Sequence, residues 1–259
     1  VSPDEVAIEA ARAGGEVLRR RFAAHEELAI ETKARHDYVT EVDREAEAAV
    51  VAVLRRRTPG YAILAEEGSL GADVSTHRWI VDPLDGTTNF IHGVPTFAVS
   101  IGLTDPEGLI AGVVHDPCRD ETFHARRGSG AFLNGAPIRC TAVDHLDAAL
   151  IATGFPFREM SRLPDYLRAF ERFVRQTSGL RRAGSASLDL AYTACGRYDG
   201  FFEVGLFPWD LAGGCLIVRE AAGIVTDVRG GEDVLKSGSV VAAGPGLHGA
   251  MLSITREAL

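Results

Sequence analysis

The sequence predicts an α/β protein in two halves, residues 1–144 and 145–259, with a cleft between them. Three observations predict it. The first 60 residues carry two helical patterns. Residues 61–125 carry short apolar runs bounded by Gly, Pro or Asp. Beyond about residue 145, strand-like and helix-like stretches alternate. No Pro/Gly/Ser-rich linker separates the halves, so an extensive shared interface is expected.

The elements follow in order. Ser2 is a candidate N-cap, Pro3 stands at the first helical position, and Asp4 and Glu5 fill the first turn. Val6, Ala10, Ala13, Val17 and Leu18 supply the apolar stripe of that helix. A short strand is expected at about 28–32. A second helix at 43–57 stops before Pro59-Gly60. Runs at 61–65, 79–81, 97–103, 109–115 and 121–125 read as strands of a largely antiparallel or mixed sheet. In the second half, strands are expected at 149–153, 200–203, 224–228 and 239–243. Helices are expected at 163–176, 185–195, 209–222 and 247–257.

Composition excludes several classes. Apolar residues make up 46% and charged residues 24%, which excludes disordered, collagen-like and coiled-coil chains. No stretch approaches the roughly 18 apolar residues of a membrane-spanning helix. The opening VSPDEVAIEAARAGGEV lacks a basic region and an apolar core, so no leader peptide and a cytoplasmic location are expected. A net charge of −9 argues against general nucleic-acid binding through phosphates. It is compatible with a small phosphorylated substrate where a cation supplies positive charge. Cys118, Cys140, Cys195 and Cys215 form no metal-binding or redox spacing and are expected to be reduced, buried thiols. His36, His92, His115, His124 and His145 show no metal-ligand spacing.

Acidic residues gather at the ends of three apolar runs. Glu66-Glu67 closes AILAEEGS, Asp82 and Asp85 close RWIVDPLD, and Asp210 follows Phe-Pro-Trp. Acids flanked by such bulk are expected to be partly buried, and buried carboxylates need a cation or strong donors. Almost no basic residue stands beside these segments, which points to a hard divalent cation held by oxygen. Pro83 keeps Asp82 extended, and the Leu84 carbonyl lies between the two acids. Gly86 lets backbone approach a ligand closely. Thr87, Thr88 and Asn89 open a helix start suited to phosphate. The plain alternative is a capped turn. Thr40 and Asp43 are either site residues or helix caps, and Asp210 is either a ligand or a helix-start charge. Lys33 is one of only two lysines, with Lys236, so its place before the acids stands out. Arg126-Arg127-Gly128-Ser129-Gly130 reads as a β-turn. Arg181-Arg182-Ala183-Gly184-Ser185 is an anion site or a basic loop with a cap.

On these residues the chain resembles the inositol monophosphatase family of Mg²⁺-dependent, lithium-sensitive phosphatases. WIVDPLDGTTNFIH matches one family signature in full, and WDLAGGCLIVREAAG matches the second except at Ala222, where the family usually has Gly. The similarity runs through GYAILAEEGS, GSASLDLAYTACGRYDGFFE and the segment from Lys33 to Asp43.

The resemblance implies a layered αβαβα sandwich of the sugar-phosphatase type, an α+β arrangement within the α/β class, and a homodimer. It implies Glu66, Asp82, the Leu84 carbonyl, Asp85 and Asp210 as ligands of two or three Mg²⁺ ions. Thr87 and Asp43 would orient and activate the attacking water, with Glu66 also in the catalytic set. Gly86 and Thr87 would hold phosphate. Gly184, Ser185, Ala186, Glu203 and Asp210, with Glu66, Leu84 and Asp85, would surround a small phosphorylated polyol or sugar. Ser187 stands where the family often has Ala, which would add polarity near the alcohol. The implied reaction is hydrolysis of myo-inositol 1-phosphate by direct water attack. The alternatives are fructose 1,6-bisphosphate, histidinol phosphate or 3′-phosphoadenosine 5′-phosphate as substrate. TTN after Asp-Gly favours the inositol branch. An alternative of another class is a protein-interaction partner of transcription machinery.

Overall fold

The computed structural model describes residues 2–24, 30–34, 37–70 and 76–259. The chain opens with α1 (Pro3–Ala24), the hairpin β1 (Ile30–Ala34) and β2 (Asp37–Thr40), and α2 (Glu41–Arg57). Next come β3 (Ala62–Ala65), β4 (Ser69–Leu70), β5 (Arg78–Asp85) and the short helix α3 (Thr87–Ile91). A meander follows: β6 (Ala98–Asp105), β7 (Gly108–Asp116), β8 (Glu121–Arg126), β9 (Ala131–Leu133) and β10 (Ala136–Ile138). The second half holds β11 (Leu150–Thr153), α4 (Leu163–Gln176), β12 (Gly179–Arg181), α5 (Ala186–Ala194) and β13 (Gly200–Val204). It ends with α6 (Pro208–Glu220), β14 (Ile224–Thr226), α7 (Val234–Ser237), β15 (Ser239–Ala243) and α8 (Pro245–Ala258).

Eight strands form one sheet in the order β10-β9-β8-β7-β6-β5-β3-β4, and five form another in the order β12-β11-β13-β15-β14. The first is antiparallel except where β3 runs parallel to β5. In the second, β11 runs parallel to β12 and β13, and β15 is antiparallel to its neighbours.

Five layers result. Helices α1 and α2 cover one face of the large sheet, α5 and α6 fill the space between the sheets, and α4 and α8 cover the outer face of the small sheet. The αβαβα sandwich is therefore the observed fold. Three apolar clusters fill the four gaps: one around Trp79 and Phe97 beneath α1 and α2, one around Leu190 and Leu211 on both sides of the middle helices, and one around Phe173 and Phe202 beneath α4 and α8. The middle layer is tight because small residues meet there. A Cβ on Gly102 would stand 2.5 Å from the Ala212 Cβ, and one on Gly112 would stand 2.5 Å from the Gly213 carbonyl. That contact seats α6 on β6 and β7, and with it Asp210.

Most expected elements match. The expected 28–32 strand is β1, starting at Ile30, and residues 28 and 29 lie outside the described residues. The expected strand at 79–81 runs on to Asp85 because a bulge carries it past Pro83. Helix α6 stops at Glu220, two residues early, because Ala222 turns to φ 61°.

Candidate active site

The acids meet in a cleft of about 480 Å³. Strand β5 delivers two of them. Residues three apart on a regular strand face opposite sides of the sheet. Here Asp82 pairs with Ser100 and Asp85 with Ala98, so two residues of β5 stand opposite one of β6. Pro83, which has no N–H for the ladder, sits in that bulge, and the extra residue returns both carboxylates to one side. Glu66 follows the parallel neighbour β3, and its N–H donates to the Val81 carbonyl. It thus borders Asp82 at the carboxyl ends of two parallel strands. Asp210 enters from the first turn of α6.

Carboxylate oxygens of Asp82, Asp85 and Asp210 all lie within 4.8 Å of one another, and all three residues are buried. Each is held by one oxygen. Asp82 Oδ1 accepts from the Leu84 N–H at 3.0 Å. Asp85 Oδ2 accepts from Ser185 Oγ at 2.7 Å, from the Ser187 N–H at 2.7 Å and from Ser187 Oγ at 2.6 Å. Asp210 Oδ2 accepts from the Phe207 N–H at 2.7 Å and from Arg158 Nη1 at 2.8 Å. Among the described residues, no hydrogen bond reaches the second oxygen of any of the three. An oxygen-only set of buried acids, each with one uncommitted oxygen, suits a hard cation.

Beside them, Thr87 Oγ1 lies 3.0 Å from both Asp43 Oδ1 and the Leu84 carbonyl. Asp43 is 1% exposed. Its Oδ2 accepts from the Thr40 N–H at 2.8 Å and Thr40 Oγ1 at 2.6 Å, while Thr40 Oγ1 accepts from the Val42 N–H. One Asp43 oxygen thus caps α2, and the other reaches Thr87. Gly86 precedes α3 at φ 101°, where a Cβ would stand 2.9 Å from the Thr96 carbonyl. Asn89 Nδ2 donates to the Thr96 carbonyl and to the Ala183 carbonyl at 2.9 Å, clipping α3 to the second half.

The second half contributes Gly184, Ser185, Ala186, Glu203 and Asp210 to the same cleft as Glu66, Leu84, Gly86 and Thr87. Two expectations are corrected here. The acids are not without a basic partner, because the loop after β11 brings Arg158 onto Asp210. Its guanidinium also lies 4.6 Å from the Phe207 ring centroid. Ser187 does not add polarity to the alcohol side. It is fully buried and spends its N–H and hydroxyl on Asp85. Asp189, 1% exposed, also lines the cleft and was missed from sequence, as was Arg158. An acid inside the apolar run LDLAY was the available signal for Asp189. Nothing periodic marks Arg158.

Electrostatics follow from this crowding. Burial, then the charges of Glu66, Asp85 and Asp210, push the Asp82 carboxyl well above its usual range. Burial pushes Asp210 up to about 6 although Arg158 opposes it. Glu203 is pushed up to about 8 by burial, against the pull of Arg182. Burial and the charges of Glu203 and Asp85 hold Asp189 well above the usual range. Asp43 is raised by burial against its three hydrogen bonds from side chains and backbone of Thr40 and Thr87. Metal-free, the site is destabilised by its own negative charge.

Other signals resolve away from the site. The 126–130 segment is a turn whose Gly128 and Gly130 N–H groups donate to Glu220 at the end of α6. Lys33 falls on β1, but its side chain, like all of His36, lies outside the described residues. His92 stands exposed at the cleft rim, and the metal-capable cluster contains no histidine among the described residues. Of the four thiols only Cys215 is fully buried; Cys118 is exposed, because it sits on the β7–β8 turn, and Cys140 and Cys195 are partly so. Among the described residues, no helix is long and apolar enough to cross a membrane.

Comparison with known proteins agrees with this geometry. The sequence profile of the inositol monophosphatase family matches residues 2–259. The chain is 48% identical over 256 residues to the Nus factor SuhB of Pseudomonas aeruginosa, covering 96% of this chain and 93% of that one. It is 44% identical over 255 residues to the inositol-1-monophosphatase of Mesorhizobium japonicum, covering 98% and 96%. The crystal structure of the extragenic suppressor protein suhB from Bartonella henselae superimposes with a TM-score of 0.94 at 41% identity, covering 98% of each chain.

Proposed function

The chain belongs to the inositol monophosphatase family and is a phosphoric monoester hydrolase, and from that premise we propose that it hydrolyses myo-inositol 1-phosphate with Mg²⁺. One observation carries the reading. Three buried carboxylates within 4.8 Å of one another lie beside a threonine hydroxyl that is bonded to a fourth. Glu66, Asp82, the Leu84 carbonyl, Asp85 and Asp210 would hold two or three ions. Bound there, Mg²⁺ neutralises the phosphate monoester and acidifies water.

The protein's own residues do the rest. Thr87 has one hydroxyl hydrogen, and Asp43 Oδ1 stands ready for it. Its lone pairs remain to accept from a water in the cleft. As that water attacks phosphorus, its proton passes to Thr87 while the Thr87 proton passes to Asp43; the ester P–O bond on the opposite side breaks, and the alcohol oxygen leaves with a proton taken from solvent water. Burial makes Asp43 a stronger base than a surface aspartate. Glu66 completes the catalytic set beside Asp82. Gly86 and Thr87, at the start of α3, hold the phosphate through backbone N–H groups. Residues 1–144 supply most ligands. Residues 145–259 supply Asp210 and, with Gly184, Ser185, Ala186 and Glu203, the alcohol side. A homodimer in the cytoplasm belongs to the same reading.

A panel of phosphate monoesters with Mg²⁺ tests the substrate. Inositol 1-phosphate is expected to give the highest kcat/KM among it, fructose 1,6-bisphosphate, histidinol phosphate and 3′-phosphoadenosine 5′-phosphate. A tenfold preference for any of the others overturns the choice. The relative named Nus factor SuhB favours a second, compatible reading, in which this chain also binds transcription machinery. Capture of that machinery by the Asp210→Asn variant would support it, and capture by neither variant nor parent would remove it.

A further inference from the structure

Asp189 lies in the first turn of α5, one turn beyond Ser185 and Ala186, and lines the cleft with them. That spacing places the three on one helix face. Asp189 is 1% exposed, yet its Oδ1 has no hydrogen-bond partner among the described residues. A buried carboxyl oxygen without a partner is costly and persists where something else repays it.

The fold offers no internal use for it. The Asp189 N–H is already bonded to the Ser185 carbonyl, so the side chain is not spent on the helix start. Arg182, whose charge bears on Asp189, makes no hydrogen bond to it among the described residues. The Arg182 guanidinium is instead held 5.6 Å and 5.4 Å from the Phe155 and Phe157 ring centroids. Glu203, on the facing strand β13, shares the cleft wall, and its charge and that of Asp85 bear on Asp189.

We propose that Asp189 is a specificity-determining residue that hydrogen-bonds a hydroxyl on the alcohol portion of the substrate. The inference rests on the phosphatase reading and deepens it, by committing the leaving group to a polyol. A hydroxyl both donates and accepts through one atom, so it satisfies Asp189 whether or not the carboxyl carries a proton. A second anionic group at this point would meet Asp85, Asp189 and Glu203 together. A wholly apolar alcohol would leave the oxygen unpaired, the situation in which polar sites discriminate most strongly.

The test compares inositol 1-phosphate with propyl phosphate, which presents the same ester without further hydroxyls. Both are measured with Mg²⁺ on the parent, Asp189→Ala and Asp189→Asn. Asp189→Ala is expected to lower the ratio of the two kcat/KM values at least tenfold, chiefly through the KM for inositol 1-phosphate. Asp189→Asn keeps the shape and an oxygen, and is expected to restore most of the ratio. An unchanged ratio in both variants, with or without a uniform loss of rate, overturns the proposal and leaves Asp189 structural. A parent that hydrolyses neither ester overturns the phosphatase reading itself, and this inference with it.

Discussion

Asp43 spends Oδ2 on the cap of α2 and Oδ1 on Thr87, while Asp210 spends Oδ2 on the α6 cap and Arg158. Reading such acids as either caps or site residues poses a false choice, because a carboxylate has two oxygens and four lone-pair positions. The fold uses one oxygen to fix the side chain and leaves the other to the site. Thr87→Ala separates these roles. It removes the hydroxyl that links Asp43 to the cleft but leaves the α2 cap and every acid in place. The kcat is expected to fall by on the order of 10²-fold or more, with Mg²⁺ affinity nearly unchanged. Steady-state kinetics and a Mg²⁺ titration check it, and an unaltered kcat would reduce Thr87 to a link in the α3 turn. At this scale the sequence was legible wherever chemistry is packed locally, as in DPLDGTTN. Arg158 and the true role of Ser187 were not, because each acts on an acid 52 or 102 residues away.

Helix α6 shows what an element owes to its ends and its neighbours. Its N-terminus is set by Pro208 and Asp210, and its middle is pressed against Gly102 and Gly112. Its C-terminus leads into Ala222, a non-glycine residue at φ 61°. The left-handed region costs an L-residue roughly 1–2 kcal/mol relative to glycine. Glycine returns part of that through its freer unfolded chain. Ala222→Gly is therefore expected to stabilise the protein by about 0.5–1 kcal/mol, raising Tm by roughly 1–3 °C without changing turnover. A thermal melt with a parallel assay checks this, and a lower Tm would contradict it. Helix α4, with its strong period, and β15, a bounded apolar run, were legible from sequence to the residue. The short strands β4, β9, β10 and β12 were not, since two or three residues carry no period and owe their place to pairing with neighbours.

Across the whole molecule, two sheets and a shared helical layer gather acids that would repel one another if left without a cation. Raised carboxyl pKa values mean that the folded protein binds those protons more tightly than the unfolded chain does. Their contribution to stability is full below the unfolded values and is lost as pH rises through the folded ones. For Asp210 the window runs from 3.8 to about 6, and for Glu203 from 4.5 to about 8. His115, His124 and His248, held low by burial, act in the opposite direction, so the informative quantity is variant minus parent. In EDTA, Glu203→Gln should gain Tm relative to the parent as pH rises from about 5 to 8; a flat difference would contradict the burial of that charge.

The α/β class was legible from alternation, and the five layers from resemblance. The bulge that turns Asp82 and Asp85 to one side was not, because a register shift is a property of the pair β5–β6 and not of either strand. What the assembled cleft does is tested most directly by phosphate release from inositol 1-phosphate, using protein stripped with EDTA and then titrated with Mg²⁺. The stripped protein is expected to show no turnover, and full turnover is expected to return as Mg²⁺ is added. Full turnover by protein verified to be metal-free would contradict it.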